Sequence, residues 1–134
     1  MFDRDDATSA LLREATRLGD LGDWDAAVAA LVAAKQSMID SPVHYPIETW
    51  CKFGLYLSRA GRFEESMAEF DWLLQDLSRR ARKESFMDDP NVFFGKSTSK
   101  KSVFNSIVRN GKRGVEEKRA VAKRREQKAN KKAG

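Results

Sequence analysis

The sequence predicts an all-α protein: two antiparallel helical hairpins, a capping helix, and a basic C-terminal tail that is helical or disordered. Three observations support this fold class. Large apolar residues recur every three or four positions on both sides of two glycine turns, an alanine-rich run over 24–34 favours helix, and the proline-containing segment SPVHYP at 41–46 separates the hairpins. We therefore expect one repeat-like helical domain with its capping helix over 1–111 and a basic tail over 112–134.

The first hairpin begins with a helix predicted over 7–20, whose apolar residues share one face. Thr8 or Ser9 is the candidate N-cap of this helix. Gly22 lies in the turn, and Asp23 is the candidate cap of the second helix.

The second hairpin repeats this plan, with a helix from Ile47, a turn at Gly61, and a longer helix from Phe63 to about Lys83. Aligned on their turn glycines, GDWDAAVAALVAA (22–34) and GRFEESMAEFDWL (61–73) share an aromatic, a small and a large residue at matching positions. These pairs are Trp24 and Phe63, Ala27 and Ser66, and Leu31 and Phe70. A small residue lets two helices cross closely, a large one fills the space beside it, and the aromatic wedges the closed end of the hairpin. A single hairpin leaves one apolar flank exposed, so the two must stack.

The capping helix is predicted from apolar residues after the second hairpin. The segment 86–94 supplies apolar residues in a loop: Phe86, Val92, Phe93 and Phe94. Apolar residues at helical spacing then follow at Val103, Phe104, Ile107 and Val108. Ser99 or Ser102 is the candidate cap of this helix, and Asn110-Gly111 is its expected end. We expect this helix to cover the exposed flank of the second hairpin. The alternative is that the flank is a dimerisation surface, so the protein is a monomer or a homodimer.

Charge is unevenly distributed. Residues 1–78 hold seven Lys or Arg against fourteen Asp or Glu, whereas 79–134 hold eighteen against six. The basic residues of the tail are Lys112, Arg113, Lys118, Arg119, Lys123, Arg124, Arg125, Lys128, Lys131 and Lys132. The tail could contact nucleic-acid phosphates, dock on an acidic protein, fold back on its own acidic body and occupy the groove, or only keep the protein dissolved. Without aromatic residues or a known DNA-binding motif in the tail, base-specific readout is not expected.

The second hairpin resembles the tetratricopeptide repeat family in the placement of six residues: Trp50, Phe53, Gly54, Gly61, Phe63 and Phe70. It departs from the family pattern at Leu57, Leu73 and Ser78. The first hairpin matches in GDWDAAV, but has Leu11 for the tryptophan and Glu14-Ala15 for Leu-Gly. Its turn glycine lies 39 residues before the next, against about 34 in the family, so SPVHYP would be an insertion.

The resemblance covers about residues 8–80 and implies a partner-binding groove on the face of the first helix of each hairpin. Carried over by position, the groove residues are Leu12, Arg13, Thr16, Glu48, Cys51, Lys52, Leu55, Ser58 and Arg59. The resemblance thus implies another protein as the partner.

Several kinds of chemistry are not expected. One cysteine, Cys51, cannot form an internal disulfide and is compatible with a reducing compartment, so we expect a cytoplasmic protein. One histidine, His44, does not supply the clustered ligands of a zinc site. No phosphate-binding loop or membrane span is recognised. We expect no metal, no cofactor and no enzymatic activity.

These observations favour an adaptor or regulatory protein that binds another protein through the groove, the basic tail or both. The alternative is a nucleic-acid-associated regulator whose tail contacts phosphates.

Overall fold

The computed structural model describes residues 3–85 and 100–133, and these form six helices and no strand. The helices are α1 (Asp3–Asp20), α2 (Trp24–Asp40), α3 (Ile47–Arg59), α4 (Phe63–Gln75), α5 (Leu77–Ser85) and α6 (Lys100–Ala133). The predicted all-α fold class is confirmed. The predicted loop at 86–94, including Phe86, Val92, Phe93 and Phe94, lies outside the described residues, as does Ser99.

Both predicted hairpin turns are present. Gly22 joins α1 to α2 and Gly61 joins α3 to α4, with φ of 78° and 76°. Positive φ is a conformation that residues with a β-carbon rarely adopt, so glycine is required at both turns. The Asp23 carboxylate accepts a hydrogen bond of 3.2 Å from the Ala26 backbone N–H, which confirms the predicted cap of α2.

The interior of each hairpin pairs a small residue with a large one. In the second hairpin, a β-carbon on Gly54 would lie 2.7 Å from the Phe70 ring, so the ring packs directly on the α3 backbone. The corresponding residues of the first hairpin, Ala15 and Leu31, lie together in a buried cluster. The second hairpin thus pairs glycine with phenylalanine, and the first pairs alanine with leucine. In both, a larger side chain on one helix is matched by a smaller one on the other, so the two pairs fill a similar space.

The predicted crossing residues Ala27 and Ser66 are fully buried, as close helix crossing requires. The Ser66 hydroxyl donates a hydrogen bond of 2.7 Å to the Gly54 carbonyl oxygen, which ties α4 to α3. Trp24 meets Tyr56 of α3 edge to face, with ring centroids 5.1 Å apart. The aromatic at the closed end of the first hairpin thus also joins it to the second.

Two predicted helix boundaries are wrong. Helix α1 begins at Asp3, so Thr8 and Ser9 are not caps; Thr8 is buried and hydrogen-bonds through its hydroxyl to that of Ser37. The helix predicted from Phe63 to about Lys83 is interrupted at Asp76, which caps the C-terminus of α4 before α5 begins. Local apolar spacing continues across Asp76, so the interruption was not visible in the pattern.

The predicted end of the capping helix is also wrong, because α6 continues through Asn110-Gly111 to Ala133. At about 1.5 Å per residue its 34 residues span about 51 Å. A β-carbon on Gly111 would lie 2.9 Å from Leu77, and one on Gly114 would lie 3.1 Å from Ile47. These glycines permit close contact between helices, and the boundary expected between a domain ending at 111 and a tail beginning at 112 falls inside one continuous helix.

Helix α6 runs parallel to α3 and antiparallel to α4. Along α3, Ile47 lies beside Gly114, and the Leu55 carbonyl oxygen accepts a hydrogen bond from Arg125. Residue numbers therefore increase in the same direction along both helices. Along α4 and α5, Asp71 pairs with Arg119 whereas Leu77 lies beside Gly111, so the order is reversed. Helix α6 therefore covers the flank of the second hairpin for which dimerisation was the alternative.

The contact between Gly54 and Phe70 can be tested by substitution. We expect Gly54→Ala to lower the free energy of unfolding by about 1–3 kcal/mol, since the added methyl group overpacks the ring. Phe70→Leu restores the pairing of the first hairpin, so the double variant should lose less stability than the sum of the single variants. Denaturant unfolding of all four proteins measures this coupling, and additive losses would contradict the account.

Candidate functional site

Helix α6 covers the part of α3 that was predicted to form a groove. Cys51 and Ser58 are buried, at 0% and 3% exposure, and Leu55 packs against the same cluster. Val115 and Ala122 of α6 are fully buried in this cluster. The expectation that this face of α3 is open to a partner is therefore wrong, because the chain itself occupies it.

The other predicted groove residues divide into packed and exposed ones. Leu12 packs against the core, and the half-buried Lys52 donates a hydrogen bond from Nζ to the Thr16 hydroxyl. Burial lowers the pKa of Lys52, and the charge of Asp20 opposes this shift. Three residues remain exposed: Arg13, Glu48 and Arg59.

Polar contacts also hold α6 against the body. Arg125 donates hydrogen bonds from Nη1 to the Leu55 carbonyl oxygen at 3.2 Å and to the Ser58 hydroxyl at 2.8 Å. Arg119 pairs with Asp71 of α4 at 3.2 Å. The tail thus folds back on the body of the protein, which was one of the four alternatives for it. It lies on the face of α3 that was predicted to form the groove.

The sequence held a signal for this packing that was missed. Gly111, Val115 and Ala122 follow one another at intervals of four and seven residues and form the buried side of α6. The side chains are small, so the segment looked too poor in apolar residues to pack. Small residues instead allow α6 to approach α3 and α4 closely.

The outer side of α6 carries most of the predicted basic residues. Lys118, Arg119 and Arg125 are half-buried, and the other seven are exposed. Lys112 pairs with Glu116 at 4.0 Å and Lys123 with Glu126 at 3.2 Å. The remaining five make no ion pair within residues 3–85 and 100–133, and we call them the basic ridge: Arg113, Arg124, Lys128, Lys131 and Lys132.

A partly buried ion pair that the sequence did not indicate joins the two hairpins. Lys35 of α2 lies 2.6 Å from Glu69 of α4, and its ammonium group lies 3.9 Å from the centroid of the Trp72 ring. Glu69 is 7% exposed, and its Oε2 has no hydrogen-bond partner among the described residues. Burial raises the pKa of Glu69, and Lys35 opposes this shift.

Cys51 and His44 are the other two titratable side chains that the sequence singled out. Burial raises the pKa of the Cys51 thiol to about 11, so little reactive thiolate forms near neutral pH. His44 lies exposed in the connection between α2 and α3. Over the described residues, no cluster of three or more His, Cys, Asp or Glu could hold a metal ion, and no helix is long and apolar enough to cross a membrane.

The ion pair gives a pH-dependent prediction. Lys35→Met should lower the free energy of unfolding by about 3 kcal/mol at neutral pH, because it strands the buried Glu69 carboxylate. A carboxyl whose folded-state pKa is raised gains stability below its unfolded pKa, here the ordinary 4.5, and loses it as the pH rises through the folded value. The loss should therefore shrink in acid. Lys35→Met/Glu69→Met should recover most of the stability, whereas a pH-independent loss would contradict the assignment.

The thiol offers a test of α6 packing. Cys51 should react slowly with a disulfide reagent at mildly alkaline pH, because it is buried and its pKa is high. Ala122→Glu puts a charge into the cluster that contains Cys51 and should accelerate the reaction. Ala120→Glu, on the exposed side of the same helix, is the matched control and should leave the rate unchanged. Equal rates in all three proteins would show that α6 does not protect Cys51.

No protein-family model, curated protein or solved structure matches this chain. The geometry and charge of the basic ridge are therefore the grounds on which a function can be inferred.

Proposed function

We propose that this chain is a protein-interaction module, an adaptor or regulatory protein, that binds an acidic segment of another protein along the basic ridge of α6. The observation that carries the proposal is the absence of ion pairs at five exposed cations on one helix, within the described residues. Acids elsewhere on the helix do pair with neighbouring cations, as Glu116 and Glu126 do. The ridge is thus the part of α6 whose charge is left to an external partner.

The helix presents these cations in a fixed order. At 100° per residue, Arg113, Arg124 and Lys131 fall within about 20° of one another around the axis, and Lys128 lies about 40° further round. Arg124 and Lys131 are about 10 Å apart along the helix at its rise per residue. An acidic segment with carboxylates on successive turns matches this spacing.

Mixed charge on the same side of α6 favours a protein partner. Glu117 is exposed and lies between Arg113 and Arg124, within about 40° of both around the axis. A carboxylate there repels the continuous negative charge of a nucleic-acid backbone, whereas a protein can offer a lysine or arginine at that point. The proposed role is binding and not catalysis.

A second candidate function is contact with nucleic-acid phosphates. It is favoured by the end of the ridge that follows Glu126, where Lys128, Lys131 and Lys132 are followed by no acid within the described residues. The affinity for nucleic acid should rise as the salt concentration is lowered, and each phosphate contact should make this salt dependence steeper. The protein would then be a nucleic-acid-associated regulator whose ridge supplies the affinity for phosphates.

A charge-reversal experiment tests the proposal. The probe is a hexaglutamate peptide blocked at both ends, titrated against the full chain at constant ionic strength. Arg124→Glu/Lys128→Glu/Lys131→Glu should weaken binding by about tenfold or more, because three favourable charge contacts become repulsive. Calorimetry or fluorescence anisotropy measures the change.

The matched control reverses the same number of exposed arginines elsewhere: Arg17→Glu/Arg62→Glu/Arg79→Glu. Each of these arginine side chains is exposed and pairs with an acid three residues away, so we expect their reversal to cost little stability. Equal loss in both triple variants would mean that net charge alone drives binding and would contradict the ridge. Tighter, salt-steep binding to a short duplex than to the peptide would favour the second candidate.

A further inference from the structure

Two arginines lie near each other at the C-terminal end of α3, and neither forms an ion pair within the described residues. Arg125 of α6 donates hydrogen bonds from Nη1 to two neutral acceptors, the Leu55 carbonyl oxygen and the Ser58 hydroxyl. Arg59 follows Ser58 in the chain and lies one turn after Leu55, on the same side of α3. The two guanidinium groups therefore share one corner of the molecule.

Neither arginine is neutralised within the described residues. The ion pairs of the described chain include no acid within 4.0 Å of Arg59 or Arg125. Arg125 is half-buried, whereas Arg59 is exposed and stacks over the Trp24 ring at 5.7 Å. Burial lowers the pKa of Arg125, and the nearby charge of Arg59 lowers it further.

The arrangement leaves donors free for a ligand. The Nε and Nη2 groups of Arg125 donate to no acceptor within the described residues, and the Arg59 guanidinium does not either. A guanidinium presents its N–H groups as a planar fork that matches the two oxygens of a carboxylate or phosphate group. The negative end of the α3 dipole offsets part of the repulsion between the two cations, and a bound oxyanion would offset the rest.

We propose that Arg59 and Arg125 together form a binding site for one oxyanionic group, and that this group is a side-chain carboxylate of the partner protein. The choice of carboxylate rests on the function proposed above. Arg125 adjoins Arg124 of the basic ridge in sequence, so an acidic segment bound along the ridge reaches this corner with its next residues. The site would fix the position of that segment on α6.

The test uses the full chain and two probes. Glutarate, a small dicarboxylate, reports the two-arginine site alone, while the blocked hexaglutamate peptide, up to about 20 Å long when extended, reaches both the site and the ridge. Backbone amide NMR should show saturable shifts at 55–59 and 122–126 with glutarate. Arg59→Gln should abolish them and weaken the peptide by about fivefold to tenfold.

Arg62→Gln is the matched control. It removes one exposed arginine three residues further along, where Glu65 is the partner, and should leave both titrations unchanged. Arg125→Gln should act as Arg59→Gln does, but it also removes a contact between α6 and α3. For that reason Arg59→Gln, which changes an exposed side chain, decides the result.

Three outcomes would overturn the inference. Equal effects of Arg59→Gln and Arg62→Gln would mean that net charge alone explains the binding. A glutarate titration that does not saturate would show that the two-arginine site does not exist, while the triple ridge variant would still test the proposed function. Tenfold tighter binding of inorganic phosphate than of glutarate would overturn the assignment to carboxylate. If glutarate binds but the triple ridge variant binds hexaglutamate normally, the site stands and the proposed function fails.

Discussion

Close approach of helix backbones is the constraint on which the packing of this chain depends. At Gly54 the Phe70 ring occupies the space of a β-carbon, and at Gly111 and Gly114 the side chains of α5 and α3 come nearly as close. The first contact builds a hairpin, and the other two hold α6 against the hairpin formed before it. One physical device, a missing side chain at a crossing point, therefore serves both levels of the structure.

The hairpins could be predicted from sequence because their signals are local. A glycine with positive φ, a capping aspartate and apolar residues on one face act within a few residues of one another, and Gly22, Asp23 and Gly61 lie where they were expected. The length of α6 could not be predicted in the same way. Asn110-Gly111 has the form of a helix end, but contact with Leu77 favours continuation of the helix, and that contact joins residues 34 positions apart.

The face that the repeat pattern predicted to bind a partner and the exposed basic ridge lie on different helices. The family-like pattern pointed to the face of α3 that carries Cys51, Leu55 and Ser58, and the structure places α6 on that face. The charge asymmetry pointed to the tail, and there the exposed cations do lie on one side of a helix. The repeat pattern cannot show what packs next to the last hairpin, so the covering of this face by α6 could not be predicted from it.

The packing of α6 has a thermodynamic consequence for any ligand of its outer side. An isolated helix with this composition is marginal in water, and a partner would have to order it on binding. Here Val115 and Ala122 have already ordered it by packing on the body. Affinity at the outer side is then linked to the folding equilibrium, so a loss of core packing beneath α6 would weaken a ligand that touches none of the altered atoms.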